Sequence, residues 1–159
     1  MTTPLAADFR AVMAGVATPV SVVTTLTDGH PHGTTVSAFA SLSMSPPMVL
    51  VSLDRGSELL ARLAHGSVFG VNVLGSDQAP LALAFARKGA KEFAGVGWEV
   101  DSGAPRLTGS PGWLACRVTQ LVEGGDHVIV LGEVGRAATA AGPPLTYHAR
   151  TFGTHAAVG

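Results

Sequence analysis

Hydrophobic and polar positions change period near the start of the chain, from a helical pattern to a β pattern. Apolar residues of the first segment take the i, i+3, i+4 and i+7 positions of one helix face: Phe9, Val12, Met13 and Val16. The segment ADFRAVMAGVA therefore predicts an amphipathic helix, whose length Gly15 limits.

β-branched and alternating residues predict a series of strands from Val20 onward. A first hairpin is predicted from VSVVTTL and TTVSAFASLS, because TDGHPHG between them holds an Asp-Gly step and a proline. Four later strands are predicted by the segments MVLVSL, VFGVNVL, WLACRVTQLV and HVIVLGEVGRA, of which the last two are joined by EGGD. The unbroken apolar run of MVLVSL predicts a strand that is buried on both faces.

Two further segments have the pattern of short helices. SELLARLAHG places Leu59, Leu60 and Leu63 on one side, with Ser57 as the N-cap and Gly66 at the end. DQAPLALAFARKG is rich in helix-forming residues and ends with two basic residues and a glycine, the order expected at a helix C-terminus.

The predicted elements favour a mainly β fold. At least six strands and three short helices are expected, and neighbouring strands are joined by turns rather than by helical crossovers. We expect an antiparallel barrel, since closure removes edges that such apolar strands could not safely expose. A chain of 159 residues without repeat or linker is expected to form a single domain over residues 1–159.

The composition indicates which classes of partner and which cellular compartment to expect. Ten basic and eleven acidic residues, with no basic stripe, argue against nucleic acid as a partner. The apolar runs are too short to span a bilayer, so no membrane association is expected. A lone cysteine, Cys116, and an N-terminus without a leader pattern predict a cytoplasmic location. A hydrophobic content of 47% with 13% charged residues predicts a homo-oligomer that hides apolar surface.

Motif searches leave two open questions. Rossmann, P-loop and α/β-hydrolase patterns do not occur in the sequence. His30 and His32 either occupy a hairpin turn, which we favour, or begin a cupin-like metal site. The segment HGTTVSAFAS is unusually rich in hydroxyls, and these either form a solvated strand face or line a polar ligand site.

A family resemblance extends from about Phe9 to Phe152. It is found in the segments FRAVMAGVATPVSVVTT, HGTTVSAFASLSMSPPMVLVSL, VFGVNVL, FARKGAKEFAGV, GWLACRV, GDHVIVLGEV and PLTYHARTF. In these the chain resembles the flavin reductase-like family, the NAD(P)H:flavin oxidoreductases of two-component monooxygenases. The resemblance implies an FMN-binding split barrel, an antiparallel barrel with a few short helices.

The resemblance also implies the flavin contacts. They fall in three groups, which are the hydroxyl-rich segment, the end of the third strand, and the third predicted helix with the C-terminal motif: Thr35, Val36, Ser37, Ala38 and Ser41; Ser52, Leu53, Asp54 and Ser57; Arg87, Lys88 and Phe152. Short hydroxyls and backbone N–H groups suit the ring and polyol chain of a flavin, whereas the basic residues suit its phosphate.

Each of these assignments has a structural alternative. Ser57 would equally serve as an ordinary N-cap, and Arg87 and Lys88 as a solvated helix end that balances the macrodipole. His127 matches a histidine that faces the nicotinamide in several relatives, but it also flanks a turn. Asn72 is interpreted as a satisfied core amide rather than a ligand.

The implied activity is transfer of a hydride from NADH or NADPH to FMN or FAD, with His127 in the catalytic position. The resemblance further implies a homodimer and a partner flavin-dependent monooxygenase. The alternative is a split-barrel protein that binds flavin or haem without turnover. Pro19 and Arg150 replace residues that are commonly glycine in the family, which leaves the choice of nicotinamide nucleotide open.

Overall fold

The computed structural model describes residues 2–89 and 91–159. Its elements are, in chain order, α1 (Pro4–Ala14), β1 (Thr18–Pro19), β2 (Ser21–Thr27), β3 (His30–Val36), β4 (Phe39–Met44), β5 (Pro47–Asp54), a 3₁₀ helix (Leu60–Arg62), β6 (Val68–Val73), α2 (Ala79–Ala86), β7 (Trp98–Asp101), β8 (Ala104–Leu107), β9 (Gly112–Gly124), β10 (His127–Thr139), β11 (Thr146–His148) and β12 (Thr151–Gly153). Within the described ranges, no helix is long and apolar enough to cross a membrane.

The main sheet has seven antiparallel strands in the order β3-β2-β6-β9-β10-β5-β4. Strands β3 and β4 stand at opposite ends of this order, although only Ser37 and Ala38 separate them in sequence. The three Cα steps between the strands span at most about 11 Å, so the sheet has to curl back on itself. The fold is therefore an antiparallel barrel that is split between β3 and β4, which confirms the predicted fold class.

The inner face of the barrel forms the first core cluster. Its buried members come from β2, β3, β5, β6, β9, β10 and the segment around the 3₁₀ helix: Val23, Val36, Val49, Val51, Leu53, Leu59, Leu63, Phe69, Val71, Cys116, Val118 and Val130. Burial of one such side chain contributes about 1.5–3 kcal/mol relative to leaving it exposed. Packing is close enough that a Cβ at Gly132 would come within 2.5 Å of the Phe69 ring.

Strand β5 corrects one prediction. Val49, Val51 and Leu53 are buried, but the residues between them, including Leu50 and Ser52, are only half-buried. The prediction that this strand is buried on both faces was therefore wrong. Among the described residues, only the inner face of β5 is packed against other parts of the chain. Its outer face stays apolar and partly open.

A second core cluster lies on the outer face of β2, where α2 and β8 pack against it. Its buried members are Val20, Val22, Leu74, Ala82, Phe85, Leu107 and Leu145. Asn72 lies at 0% exposure nearby, and its amide bridges three strands. Its Nδ2 donates to the carbonyls of Val22 (3.2 Å) and Pro105 (3.3 Å), and its Oδ1 accepts from the Leu107 N–H (2.8 Å). The interpretation of Asn72 as a satisfied core amide is confirmed.

The helices differ from their sequence patterns at two places. Helix α1 begins at Pro4, where the Thr3 side chain caps it, and ends before Gly15, with no buried residue. SELLARLAHG forms only the 3₁₀ helix, so the predicted longer helix was wrong. Leu63 already adopts an extended backbone, because both Leu59 and Leu63 are drawn into the first core cluster.

The first hairpin turns at Asp28 and Gly29, which both have positive φ (51° and 78°). This is the sign pattern of a two-residue hairpin turn. His30 and His32 lie beyond it on β3, opposite Thr27 and Thr25, so placing them in the turn was wrong. In the described part of the chain, no cluster of three or more His, Cys, Asp and Glu could hold a metal ion.

Candidate functional site

The split between β3 and β4 opens into a cavity of about 230 Å³, here called cavity A. It brings together nine of the thirteen residues predicted for the site, with Thr34 as an additional member: Thr35, Val36, Ser37, Ala38, Ser52, Leu53, Asp54, Ser57 and His127. These residues come from the crossing between β3 and β4, the end of β5 and the start of β10. The sheet topology therefore places distant segments of the sequence around one space.

Backbone pairing fixes the walls of cavity A. The Ser52 N–H donates to the Ala38 carbonyl (2.9 Å), which ties the crossing to β5. His127 lies directly opposite Asp54 in the β5–β10 register. Because alternate residues of a strand share a face, Ser52 and His127 lie on the outer face of the sheet with Leu50 and Ile129. Cavity A therefore opens beside the partly exposed apolar face of β5 and β10.

The hydroxyls around cavity A differ in their availability. The Thr35 hydroxyl donates to the Ala82 carbonyl of α2 (2.6 Å), so it already has a structural partner. Within the described residues, no hydrogen bond joins the hydroxyls of Thr34, Ser37 or Ser52 to another protein group. These three remain available as donors and acceptors for a ligand. Thr35 still lines the cavity, and its contact with the flavin stays a prediction.

The loop after β5 is held rigidly. Asp54 Oδ1 accepts from the Gly56 N–H (2.7 Å), and the Ser57 N–H donates to the Asp54 carbonyl (2.9 Å). Ser57 Oγ accepts from the Leu60 N–H (3.3 Å), but the residue that precedes the 3₁₀ helix is Leu59, so the prediction of Ser57 as the N-cap was wrong. Arg55 fastens the loop to the β9–β10 hairpin, since its Nε donates to the Gly125 carbonyl (2.7 Å).

A second cavity of about 300 Å³, here called cavity B, shares Thr34, Asp54 and Ser57 with cavity A. The predicted basic residues Arg87 and Lys88 line it just after α2, and both are exposed. Three further side chains reach it that the sequence did not point to: His32, Glu58 and Glu92. The two cavities therefore adjoin, the first rich in hydroxyls and the second lined by charged side chains.

His32 in cavity B is held toward its neutral form. Burial lowers the pKa of His32 below its usual value, and the positive charge of Arg62 lowers it further. Glu92 and Glu58 oppose this effect without reversing it. His32 is consequently an uncharged donor and acceptor near neutral pH.

His127 is paired with its neighbour Asp126. Its Nδ1 lies 2.8 Å from Asp126 Oδ1, and this hydrogen bond lowers the pKa of the Asp126 carboxyl. An ionised carboxylate can only accept, so Nδ1–H is the donor. In a neutral imidazole this leaves Nε2 as the free acceptor at cavity A. The pair therefore selects one tautomer of His127.

Two predicted flavin contacts lie outside both cavities. Ser41 is exposed on β4 opposite Val49, next to an irregularity in the β4–β5 register. Phe152 lies half-buried on β12, where it packs against the second core cluster and the Tyr147 ring (centroids 5.2 Å apart). Their assignment to the flavin stays a prediction, since neither residue lines cavity A or cavity B.

Sequence reasoning missed His32, Thr34 and Glu92. Thr34 had a usable signal, because it belongs to the same hydroxyl-rich segment as Thr35. His32 was considered only as a turn residue or a metal ligand. Glu92 had no sequence signal, since only the folded chain brings it next to β3 and the loop after β5.

A third cavity, of about 380 Å³, lies elsewhere and contains none of the predicted site residues. It is lined by β9 and β10 near their register shift between Val134 and Arg136. Cys116 belongs to its wall, but burial raises the pKa of this thiol to about 12, so it is inert near neutral pH.

The chain is similar in sequence to named reductases over most of its length. The reductase component of the 4-nitrophenol 4-monooxygenase/4-nitrocatechol 2-monooxygenase of Rhodococcus opacus is 42% identical over 147 residues, covering 92% of this chain and 80% of the relative. An FMN reductase (NADH) of Agrobacterium fabrum is 38% identical over 146 residues, covering 91% and 83%.

Solved structures agree as well. The NADH:FAD oxidoreductase of Streptomyces globisporus, in complex with NAD and FAD fragments, superposes with a TM-score of 0.90 at 34% identity, covering 98% of this chain and 96% of that one. The flavin reductase of the styrene monooxygenase of Pseudomonas putida gives a TM-score of 0.84 at 32% identity, covering 94% and 98%. The family described as flavin reductase like domain matches residues 13–156. Fold, site and sequence thus agree, and the chain belongs to the flavin reductase-like domain family.

Proposed function

We propose that this protein is an NAD(P)H:flavin oxidoreductase that supplies reduced flavin to a partner monooxygenase. The observation that supports this most is the pair of adjoining cavities, in which the available hydroxyls of cavity A lie beside the basic residues of cavity B. Relatives over nine tenths of the chain are named as such reductases, and one as the reductase component of a monooxygenase.

The described residues fit a flavin. Thr34, Ser37 and Ser52 offer hydroxyls to the polar edge of a ring or to a polyol chain in cavity A. In cavity B, Arg87 and Lys88 offer positive charge to a phosphate, and both are exposed, so their donors can reach a ligand. The ring end and the phosphate end of one flavin would thus each meet the matching chemistry.

The two small molecules supply the redox chemistry, since a hydride passes from the reduced nicotinamide to the flavin. The protein supplies orientation and excludes water. His127, held by Asp126 with Nε2 as an acceptor, lines cavity A and could accept a hydrogen bond from the nicotinamide carboxamide. The names of similar proteins favour NADH as the donor.

We further propose a homodimer that walls cavity A. Leu50 lies opposite Leu131 on the outer face of β5 and β10, and both are only half-buried. Helix α1 leaves Leu5, Phe9 and Val12 more than 60% exposed. A second copy is the simplest cover for this much apolar surface. Because Ser52 and His127 share the outer face with Leu50, such a copy would also shield the site.

Sedimentation tests the dimer. Leu131→Glu should convert it to a monomer and weaken flavin binding, because a buried charge would oppose the apolar contact. A wild-type protein that sediments as a monomer at all concentrations would contradict the proposed dimer. A cytoplasmic location remains our expectation, and the single free cysteine, Cys116, is consistent with it.

The activity test measures NADH and NADPH oxidation with and without riboflavin, FMN or FAD. We expect oxidation that depends on added flavin and far exceeds the rate without protein. His127→Ala should lower kcat/KM for the nicotinamide more than it changes flavin affinity. Flavin or haem binding without any turnover would instead identify a carrier, and the proposed function would fail.

A further inference from the structure

Glu92 has an unusual position in the wall of cavity B. Its Oε2 is buried and, within residues 2–89 and 91–159, has no hydrogen-bond partner. A buried acceptor without a donor costs about 1–3 kcal/mol, and more when it is charged. Such a group beside a cavity gains free energy when a ligand donor reaches it. Rotation about the last side-chain bond of a glutamate is soft, so Oε2 can turn toward the cavity.

The charges around Glu92 are mixed. Arg87 and Lys88 line the same cavity, as do Glu58 and Asp54. Asp54 is already engaged by the Gly56 N–H, and Glu58 is exposed to solvent. Glu92 is therefore the acid of cavity B whose carboxylate is partly removed from water and still lacks a donor.

FMN and FAD present different groups to such a cavity. The phosphate monoester of FMN has a charge of about −1.5 to −2 at neutral pH, so a nearby carboxylate repels it. Each phosphate of the FAD pyrophosphate has a single charge, and the following ribose offers two hydroxyl donors. Carboxylates are known to accept hydrogen bonds from ribose hydroxyls in dinucleotide sites. A volume of about 300 Å³ also leaves more room than a phosphate group alone would fill.

We propose that Glu92 is a selectivity residue that favours FAD over FMN, by accepting a ribose hydroxyl and repelling a terminal phosphate dianion. This inference rests on the proposed function, because it assumes that the phosphate end of the flavin lies in cavity B. It assigns a residue of this chain to the choice between the two flavins.

The test compares the Kd values of riboflavin, FMN and FAD for wild type, Glu92→Gln, Glu92→Asp and Glu99→Gln, measured by quenching of flavin fluorescence. Wild type should bind FAD more tightly than FMN. Glu92→Gln should shift the FMN-to-FAD preference by about tenfold toward FMN, the effect of one charge-assisted hydrogen bond. Glu92→Asp should retain most of the preference for FAD. Glu99 is exposed on β7 and lines neither cavity, so Glu99→Gln removes the same charge without affecting the ratio.

Riboflavin separates folding from selectivity, because it has no phosphate and reports on cavity A alone. Unchanged riboflavin affinity in Glu92→Gln, together with the shifted ratio, would support the proposal. A wild type that prefers FMN, or a Glu92→Gln variant that changes both Kd values by the same factor, would overturn it. If wild type bound no flavin at all, the proposed function itself would fail.

Discussion

The core around Asn72 and the wall of cavity B around Glu92 differ in whether their buried polar atoms have hydrogen-bond partners. The Asn72 amide has three backbone partners, whereas Glu92 Oε2 has none in the described part of the chain. A satisfied group holds strands together, so it serves stability. An unsatisfied group beside a cavity lowers stability until a ligand arrives, so it serves binding.

The largest effect on stability should come from removing the hydrogen bonds of the Asn72 amide. Asn72→Ala removes three hydrogen bonds and leaves the Leu107 N–H buried without a partner. We expect the free energy of unfolding to fall by about 3 kcal/mol, measured by urea denaturation. The ratio of FMN to FAD affinity in the folded protein should not change. A loss below about 0.5 kcal/mol would contradict the structural role of Asn72.

A substitution at Lys88 tests the contribution of cavity B to flavin binding. Lys88→Ala should raise the Kd for FMN and FAD by about tenfold, because one charge-assisted contact to phosphate is lost. It should change kcat less and leave the unfolding midpoint unaltered, since Lys88 is exposed. Lys91→Ala is the matched control, because Lys91 is exposed and does not line cavity B. Unchanged flavin affinity in Lys88→Ala would refute its assignment to the phosphate.

A substitution at Arg150 tests whether backbone strain, rather than a polar contact, lowers the free energy of unfolding. Its φ of 60° is a conformation that glycine adopts without strain and other residues do not. Arg150→Gly should therefore raise the free energy of unfolding by about 1 kcal/mol in urea denaturation. Gly142→Ala, at φ 151°, should act in the opposite direction. A destabilised Arg150→Gly variant would show that the side chain, not the backbone, matters there.

Asp101, like Asn72, has several hydrogen-bond partners, but it is a carboxylate. Its substitution should give the smallest effect on stability. Burial would raise the pKa of Asp101, but hydrogen bonds from Arg106 (2.8 Å) and Ser102, and the charge of Arg136, lower it overall. A lowered folded-state pKa contributes stability that is present above the unfolded value near pH 3.9 and lost as pH falls through the folded value. At pH values below about 4, the urea concentration at the unfolding midpoint should therefore fall more steeply for wild type than for Asp101→Asn. Parallel pH profiles would contradict this.

Several strands could be predicted because their signal is local. β6, β9 and β10 follow from alternation and turn residues within a few positions. TTVSAFASLS was predicted as one strand, and this was wrong, because the chain leaves β3 at Ser37 and Ala38 and crosses to β4 at the other end of the sheet. The β9–β10 hairpin in particular was predicted with its turn at EGGD, and the structure confirms it. Helix ends were less predictable, since tertiary packing shortened SELLARLAHG to a 3₁₀ helix.

The site could be predicted in part, and mainly through the family resemblance. That resemblance assigned Ser37, Ser52 and His127, and the fold brings them to one cavity. It did not reveal that the Thr35 hydroxyl is occupied by α2, or that Phe152 packs in the second core cluster. Both depend on contacts between segments far apart in sequence, which no local pattern encodes.

The sequence by itself determined the mainly β fold, most strands of the main sheet and the family, because periodicity, turn residues and ordered motifs are local properties of the chain. Only the tertiary structure decided which polar groups are satisfied and which face a cavity. The curl of the sheet brings β3, the loop after β5 and the segment after α2 around one cleft. Hydrogen-bond partners and burial exist only once those segments meet, so the contrast between Asn72 and Glu92 could not be predicted from the residues alone.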